Sequence, residues 1–231
     1  MQNRQFELKS QLRSQRPCTA IRWWSVGLGV GLLSLPAVFL LDRALIPALR
    51  PDAVPWLVGI LRYATWLGYG LVDIGVPVAI GAAAWGRGDA GGWRRGLLGG
   101  SAVAAAGLLD QILKNLLCRA RPSAGNAGAF FTGFPCVPAP YALASFPSGH
   151  ATTAFAVAAV LSFWYPRWTA AWLALAAVVG WSRIALGSHF PSDVVAGAIL
   201  GVAVALAFVR WVPGVGKDQC KMANRQPTTD Q

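Results

Sequence analysis

The two histidines of this 231-residue chain each stand at the start of an apolar run. His150 lies in SFPSGHATTAF, and His189 lies in SRIALGSHFPSD, four residues before Asp193. An imidazole acts as a nucleophile or as a proton carrier because its ordinary pKa, about 6.5, is close to neutral pH. The two residues are therefore candidates for acid–base or nucleophilic catalysis, provided that the fold brings them together.

The sequence PSGH at 147–150 predicts the beginning of a helix. Ser148 is a favoured N-cap residue, and Gly149 leaves the first backbone N–H groups open to a ligand. Free N–H donors at a helix start attract anions. Ordinary capping by the same residues is the alternative interpretation.

The spacing of His189 and Asp193 predicts a contact on one side of a helix that begins near Phe190 or Pro191. Asp193 is expected to accept a hydrogen bond from one imidazole nitrogen and to raise the basicity of the other. His189 is then a candidate nucleophile. A histidine and an acid that merely stabilise the helix are the alternative.

Three cations fall near the same motifs, at the ends of apolar runs: Lys114, Arg121 and Arg183. Two guanidinium groups and one ammonium group match the oxygens of a phosphoryl group. Asp110, one turn before Lys114, is expected to pair with that lysine. Each cation taken alone is equally explained by a side chain that reaches towards lipid headgroups.

The composition indicates what positions these residues. The chain is 55% hydrophobic and only 13% charged, so we predict an integral membrane protein. The net charge of +11 is scattered between apolar segments, which argues against nucleic acid as a partner. The sequence contains six apolar segments, most of them near the length that a helix needs to cross a membrane. They predict an all-α, polytopic membrane helical bundle with six transmembrane helices. Their approximate bounds are Trp23–Leu41, Tyr63–Trp85, Gly96–Leu117, Ser148–Tyr165, Trp168–Ser182 and Ser192–Val212.

The basic residues predict the orientation. Thirteen of the 20 Lys and Arg residues fall on the side of both termini, which favours cytoplasmic tails at 1–22 and 213–231 around a membrane domain at 23–212. We expect the first segment to be an uncleaved helix rather than a signal peptide. We interpret the chain as a bacterial inner membrane protein. Both histidines then lie on the side of the membrane that faces the periplasm or the exterior.

Two further features lack a decided role in the sequence. Cys118 and Cys136 share the outer loop between the third and fourth segments, and we predict a disulfide between them, with two free thiols as the alternative. Asp73 lies within the second span, where a carboxylate is costly. The sequence gives it no partner, and a structural role is at least as well supported as a functional one.

The motifs K-x6-RP, PSGH and SR-x5-H-x3-D occur in this order on one predicted side of the membrane. Together they resemble the signature of the type 2 phosphatidic acid phosphatase superfamily, which includes vanadium-dependent haloperoxidases. Every signature position is occupied, and the residues are Lys114, Arg121, Pro122, Pro147, Ser148, Gly149, His150, Ser182, Arg183, His189 and Asp193.

This resemblance implies a phosphatase that uses no metal or other cofactor and forms a phosphohistidine intermediate. It implies that His189 is the nucleophile, Asp193 its orienting partner and His150 the proton shuttle. It also implies that the residues that bind the phosphate are Lys114, Arg121, Ser148, Gly149 and Arg183. The implied substrates are phosphates or diphosphates of membrane lipids, namely isoprenoid diphosphates such as undecaprenyl diphosphate, phosphatidylglycerol phosphate, phosphatidic acid or lipid A phosphate.

Two other functions compete with this interpretation. A non-catalytic lipid-phosphate binder or transporter would need the cations but not both histidines and the acid. A vanadate-dependent peroxidase would share the anion site, but such enzymes are typically soluble. The oligomeric state has no signal in the sequence.

Overall fold

The computed structural model describes residues 19–51, 54–124 and 127–211, with only the backbone described at 19–23 and 211. Most of the predicted tail at 1–22 and all of the tail at 213–231 lie outside these ranges.

The described chain is helical, in agreement with the predicted all-α class. Three short 3-10 turns, at Thr65–Gly68, Tyr141–Leu143 and Pro166–Trp168, accompany the α-helices. The helices are α1 (Thr19–Leu49), α2 (Pro55–Ala64), α3 (Gly70–Gly86), α4 (Gly92–Leu117), α5 (Gly149–Trp164), α6 (Thr169–Ala185) and α7 (Pro191–Trp211).

The helices are those of an integral membrane protein. Four of them, α1, α4, α6 and α7, contain stretches long and apolar enough to cross a membrane. The α2–α3 pair, bent by 59°, can form a fifth span, and the apolar helix α5 has only 16 residues. The structure thus supports four or five spans among the described residues, and the predicted count of six requires that α5 also cross.

Two predicted boundaries were wrong. The first span was expected to end at Leu41, but α1 continues to Leu49. The second was expected as one helix over Tyr63–Trp85, but the chain breaks at Thr65–Gly68 and is extended at Tyr69. A Cβ on Gly68 would lie 2.5 Å from Val179 and 3.0 Å from the Cβ of His150. At the break, the backbone therefore packs directly against α5 and α6.

Helix α5 is the centre of the bundle. Twelve of its 16 residues are buried, and it contacts α1, α3, α4, α6 and α7. Its contact with α7 is made backbone to backbone, because a Cβ on Gly201 would lie 2.1 Å from the carbonyl oxygen of Thr152. The helices that follow PSGH and His189 are therefore held closely together.

The loop from α4 to α5 returns across the end of the bundle where the motifs meet. The backbone N–H of Arg121 donates to Ala142 (2.9 Å), and that of Ser145 donates to Arg119 (3.1 Å). Cys118 and Cys136 form a disulfide with an S–S distance of 2.05 Å, which confirms the predicted pairing. The bond closes the loop beside the two arginines that follow Cys118.

Candidate active site

His189 lies in the short connection between α6 and α7. Its backbone N–H donates to the carbonyl of Arg183 (3.2 Å), and its side chain is 2% exposed. Nδ1 lies 2.7 Å from the carbonyl oxygen of Ser145. A carbonyl oxygen can only accept, so Nδ1 carries the proton and Nε2 keeps its lone pair.

Burial lowers the pKa of His189 to about 4, against the opposing effect of the nearby Asp193 carboxylate. The ring is consequently neutral at neutral pH. A neutral imidazole with a lone pair on Nε2 is the form that a nucleophilic histidine requires.

The predicted hydrogen bond from His189 to Asp193 is absent. Nδ1 lies 3.6 Å from the Asp193 carboxylate, beyond hydrogen-bond range, because the carbonyl of Ser145 occupies that position. Asp193 acts on His189 through the backbone instead. It accepts from the backbone N–H of Phe190 (2.8 Å), the residue after His189, and from the hydroxyl of Ser145 (2.6 Å), whose carbonyl binds Nδ1.

The start of α7 explains this arrangement. Pro191 is the first helical residue and Asp193 the third, and a side-chain acceptor at the third position commonly caps the N–H that precedes the helix. The backbone oxygen of Asp193 also accepts from the N–H of Ser148 (3.0 Å), which connects α7 to the PSGH motif.

Arg119 is a buried cation beside the site that the sequence motifs did not predict. It is 4% exposed, and it donates to Asp193, to Asp42 of α1 (2.7 Å) and to Ser192 (2.7 Å). The rings of Phe39, Phe130 and Phe190 lie 4.4 to 4.9 Å from its guanidinium carbon. The motif K-x6-RP leaves this position unspecified, so no pattern in the sequence marked it.

PSGH forms the predicted helix start. Ser148 is the N-cap residue with an extended backbone, and its hydroxyl makes no capping hydrogen bond. That hydroxyl is buried without any partner among the described residues, so it remains available to a ligand. A Cβ on Gly149 would lie 3.0 Å from the Asp110 carboxylate and 3.2 Å from Lys114 Nζ.

Lys114 and Asp110 form the expected ion pair, buried on α4. Thr152 of α5 donates to the same carboxylate (3.3 Å), which places Lys114 beside the first turn of α5. The lysine is thus positioned next to the first backbone N–H groups of α5.

Arg121 is held by three carbonyl oxygens, those of Tyr141 (2.7 Å), Ala144 (3.1 Å) and Ser188 (3.2 Å). Its guanidinium also lies 3.7 Å from the Tyr141 ring. A guanidinium has five N–H groups, so two remain for a ligand.

Arg183 and His150 complete the site from the last turn of α6 and the first turn of α5. Arg183 donates to the hydroxyl of Thr65 (2.6 Å), while its buried Nε has no partner among the described residues. His150 is half-buried, and Arg183, His189, Lys114 and Arg121 all lie close enough to act on its charge. The structure therefore brings every predicted site residue to one end of the bundle.

The arrangement can bind a phosphoryl group and transfer it. Donors converge from the ends of α4, α5 and α6 and from the loop after α4, with a buried imidazole lone pair on one side and a second imidazole nearby. Among the described residues, no three His, Cys, Asp or Glu side chains are grouped so as to hold a metal ion.

Comparison with known proteins decides the family. A model of the PAP2 superfamily matches residues 96–217, more than half of the chain. The chain belongs to the PAP2 superfamily. The matched range contains every residue of the predicted site, from Lys114 to Asp193.

Two of the relatives that this chain resembles are named as phosphatases. The lipid A 1-phosphatase of Rhizobium johnstonii is 38% identical over 112 residues, which are 47% of this chain and 46% of that protein. The chain thus aligns with less than half of that relative's length. YbjG of Escherichia coli K12, provisionally named an undecaprenyl-diphosphatase, is 30% identical over 155 residues, 66% of this chain and 72% of that protein.

Two solved structures share the fold. The crystal structure of Aquifex aeolicus LpxE has a TM-score of 0.55 at 23% identity and covers 74% of this chain and 96% of its own. That of a transmembrane PAP2-type phosphatidylglycerolphosphate phosphatase from Bacillus subtilis has a TM-score of 0.58 at 27% identity and covers 79% and 92%.

The tautomer and pKa of His189 can be measured directly, because the chain has only two histidines. In protein labelled with 15N-histidine, with His150→Asn used for assignment, we expect His189 to carry its proton on Nδ1. Because burial lowers its pKa to about 4, it should stay neutral as the pH falls through 6 and protonate only near 4. A ring that titrates near 6.5, or that carries its proton on Nε2, would contradict this geometry.

Removal of Arg119 should destabilise the fold. Arg119→Leu leaves the carboxylates of Asp42 and Asp193 buried without their cation, and breaking a buried pair in this way costs about 3–5 kcal/mol. Thermal unfolding in detergent measures the loss. Arg43→Leu is the matched control, since Arg43 neighbours Asp42 but is exposed, and equal stability of the two variants would show that the Arg119 pairs contribute nothing.

Proposed function

We propose that this PAP2 protein is a lipid phosphatase that hydrolyses a phosphate or diphosphate ester of a membrane lipid through a phosphohistidine intermediate. The observation that carries the proposal is the buried, neutral His189, whose Nδ1 is bound to a carbonyl so that Nε2 carries the lone pair. A protein that only bound phosphate would need the surrounding cations but no such nucleophile.

In the first step, Nε2 of His189 attacks phosphorus. The bond from phosphorus to the lipid oxygen breaks, and His150 gives its proton to that oxygen. Lys114, Arg121 and Arg183, with the Ser148 hydroxyl and the Gly149 N–H, stabilise the charge on the phosphoryl oxygens.

In the second step, His150 takes a proton from water, and the resulting hydroxide attacks the phosphorus of the phosphohistidine. The phosphorus–nitrogen bond breaks and inorganic phosphate leaves. His189 is restored as a neutral imidazole, and His150 is again protonated. The cycle needs no redox partner, because every bond change is a transfer of phosphoryl groups and protons.

The substrate is a lipid phosphate that reaches the site from the bilayer. The names of the relatives support lipid A phosphates, undecaprenyl diphosphate and phosphatidylglycerol phosphate as candidates, and phosphatidic acid belongs to the same chemical class. The site stands at the ends of apolar helices, where a lipid phosphate lies while its tails stay in hydrocarbon.

His189→Ala should abolish phosphate release and the phosphoenzyme, because no other nucleophile occupies that position in the proposed step. With a 32P-labelled lipid phosphate, the wild type should form an acid-labile, base-stable label and the variant none. Turnover in the variant within tenfold of the wild type would contradict the mechanism.

His150→Ala is the matched comparison. It loses the acid that protonates an alkoxide leaving group, worth about 10²- to 10⁴-fold in rate. An aryl phosphate such as p-nitrophenyl phosphate has a leaving group that needs no proton. With this substrate the variant should release one equivalent of nitrophenol and remain phosphorylated on His189. Loss of that single turnover would assign His150 a different role.

We further propose that the chain crosses the membrane six times, with both termini in the cytoplasm and the site outside. The concentration of Lys and Arg on the side of the termini supports this orientation. A reporter that is active only outside the cytoplasm, inserted within 123–140, should therefore be active. An insertion at Asp89, between α3 and α4, should be silent. The reverse pattern would overturn the orientation.

A further inference from the structure

A cavity begins one helical turn from the catalytic residues. It encloses about 150 Å³ between α3, α5 and α6. Its wall includes Ala154, four residues after His150, and Val179, four residues before Arg183. Residues four apart share a helix face, so the cavity lies on the same faces of α5 and α6 as His150 and Arg183, roughly 5.4 Å further along each helix.

The cavity is open on the side where the bundle meets lipid. Three apolar side chains in its wall, Leu67, Val72 and Leu175, are also 44 to 51% exposed. In an integral membrane protein, such exposed apolar side chains face hydrocarbon. A lipid whose phosphate occupies the catalytic site can therefore place the adjoining part of its chain here.

Two polar atoms in this apolar wall lack hydrogen-bond partners. They are Oδ2 of Asp73, a residue 3% exposed, and Nε1 of Trp172. Buried polar groups are nearly always hydrogen-bonded, and an unpaired one is costly. The two atoms therefore point to a ligand with its own polar groups.

Asp73 lies at the end of the cavity nearer to the reaction. Its carboxyl group interacts with Thr153, which follows His150 by one turn of α5. Trp172 precedes Arg183 by 11 residues and so lies roughly 16 Å further along α6. The polar group that meets Asp73 thus belongs to the part of a lipid directly beside its phosphate.

Building on the proposed phosphatase function, we propose that Asp73 selects lipid phosphates that carry a hydroxyl or amide N–H next to the phosphate-bearing carbon. Phosphatidylglycerol phosphate, whose terminal glycerol keeps a free hydroxyl there, and amino-sugar-based lipids, whose neighbouring carbon carries an amide, have such a donor. An isoprenyl chain is hydrocarbon at that position and leaves the carboxyl unpaired. The inference therefore favours phosphatidylglycerol phosphate and amino-sugar-based lipids over isoprenyl phosphates and over phosphatidic acid, whose neighbouring oxygen is acylated.

A pair of substrates that differ by one hydroxyl tests this directly. Palmitoyl lysophosphatidate has a free hydroxyl beside the phosphate-bearing carbon, and 3-palmitoyloxypropyl phosphate lacks only that group. The wild type should prefer the first by about tenfold in kcat/KM, the size of one good hydrogen bond. Farnesyl phosphate should be as poor as the deoxy compound.

Two variants of Asp73 should alter that preference. Asp73→Leu should bring the ratio close to one, because an apolar side chain offers the hydroxyl nothing. Asp73→Asn keeps an acceptor oxygen and should retain part of the ratio. Leu175→Ala, which changes the same wall without a polar group, should leave the ratio at the wild-type value, and monodisperse elution in detergent checks the fold of each variant.

A wild-type ratio near one, or a ratio that Asp73→Leu does not lower, would overturn the inference. If phosphate release from both substrates depends on His189 but does not distinguish them, only this inference fails. If neither substrate gives His189-dependent release, the proposed function fails and the inference with it.

Discussion

The buried carboxylate of Asp193 is the interaction on which the rest of the site depends. One oxygen accepts from Arg119 of the loop after α4, and the other accepts from Ser145, before α5, and from the backbone of Phe190. Its own backbone oxygen accepts from the N–H of Ser148. Three segments distant in sequence are therefore connected through a single residue, which is fully buried. A carboxylate in such a place is tolerated only when its partners are complete.

The cations of the site are of two kinds, those paired with an acid and those without a carboxylate partner. Arg119 lies between Asp193 and Asp42, and Lys114 is paired with Asp110, so acids balance these two charges. Arg121 and Arg183 have no carboxylate partner among the described residues and are held by carbonyl and hydroxyl oxygens instead. Positive charge is thus left where the Ser148 hydroxyl and the start of α5 provide further donors. An anion in this position would complete the balance.

Much of this site was predictable because its chemistry is local in sequence. The N-cap role of Ser148 follows from PSGH, the Asp110–Lys114 pair follows from helical spacing, and the disulfide follows from two cysteines in one loop. Arg119 and Asp42 were not predictable, since their pairing joins α1 to a loop 77 residues away. The carbonyl that binds His189 was also hidden, because any residue type at Ser145 offers a backbone oxygen. The break at Gly68 escaped because its neighbours are as apolar as the helices on either side, and its cause is a tertiary contact with α5 and α6.

The central claim is that one phosphoryl group is held between His189 Nε2 and the donors of α4, α5 and α6. Orthovanadate adopts the five-coordinate geometry of phosphoryl transfer, so a structure of the protein soaked with it tests the claim most directly. The account predicts vanadium bonded to Nε2 of His189, with its oxygens on Lys114, Arg121, Arg183 and Ser148 and with His150 beside the apical oxygen. Vanadate bound away from His189, or bonded to His150 instead, would contradict it.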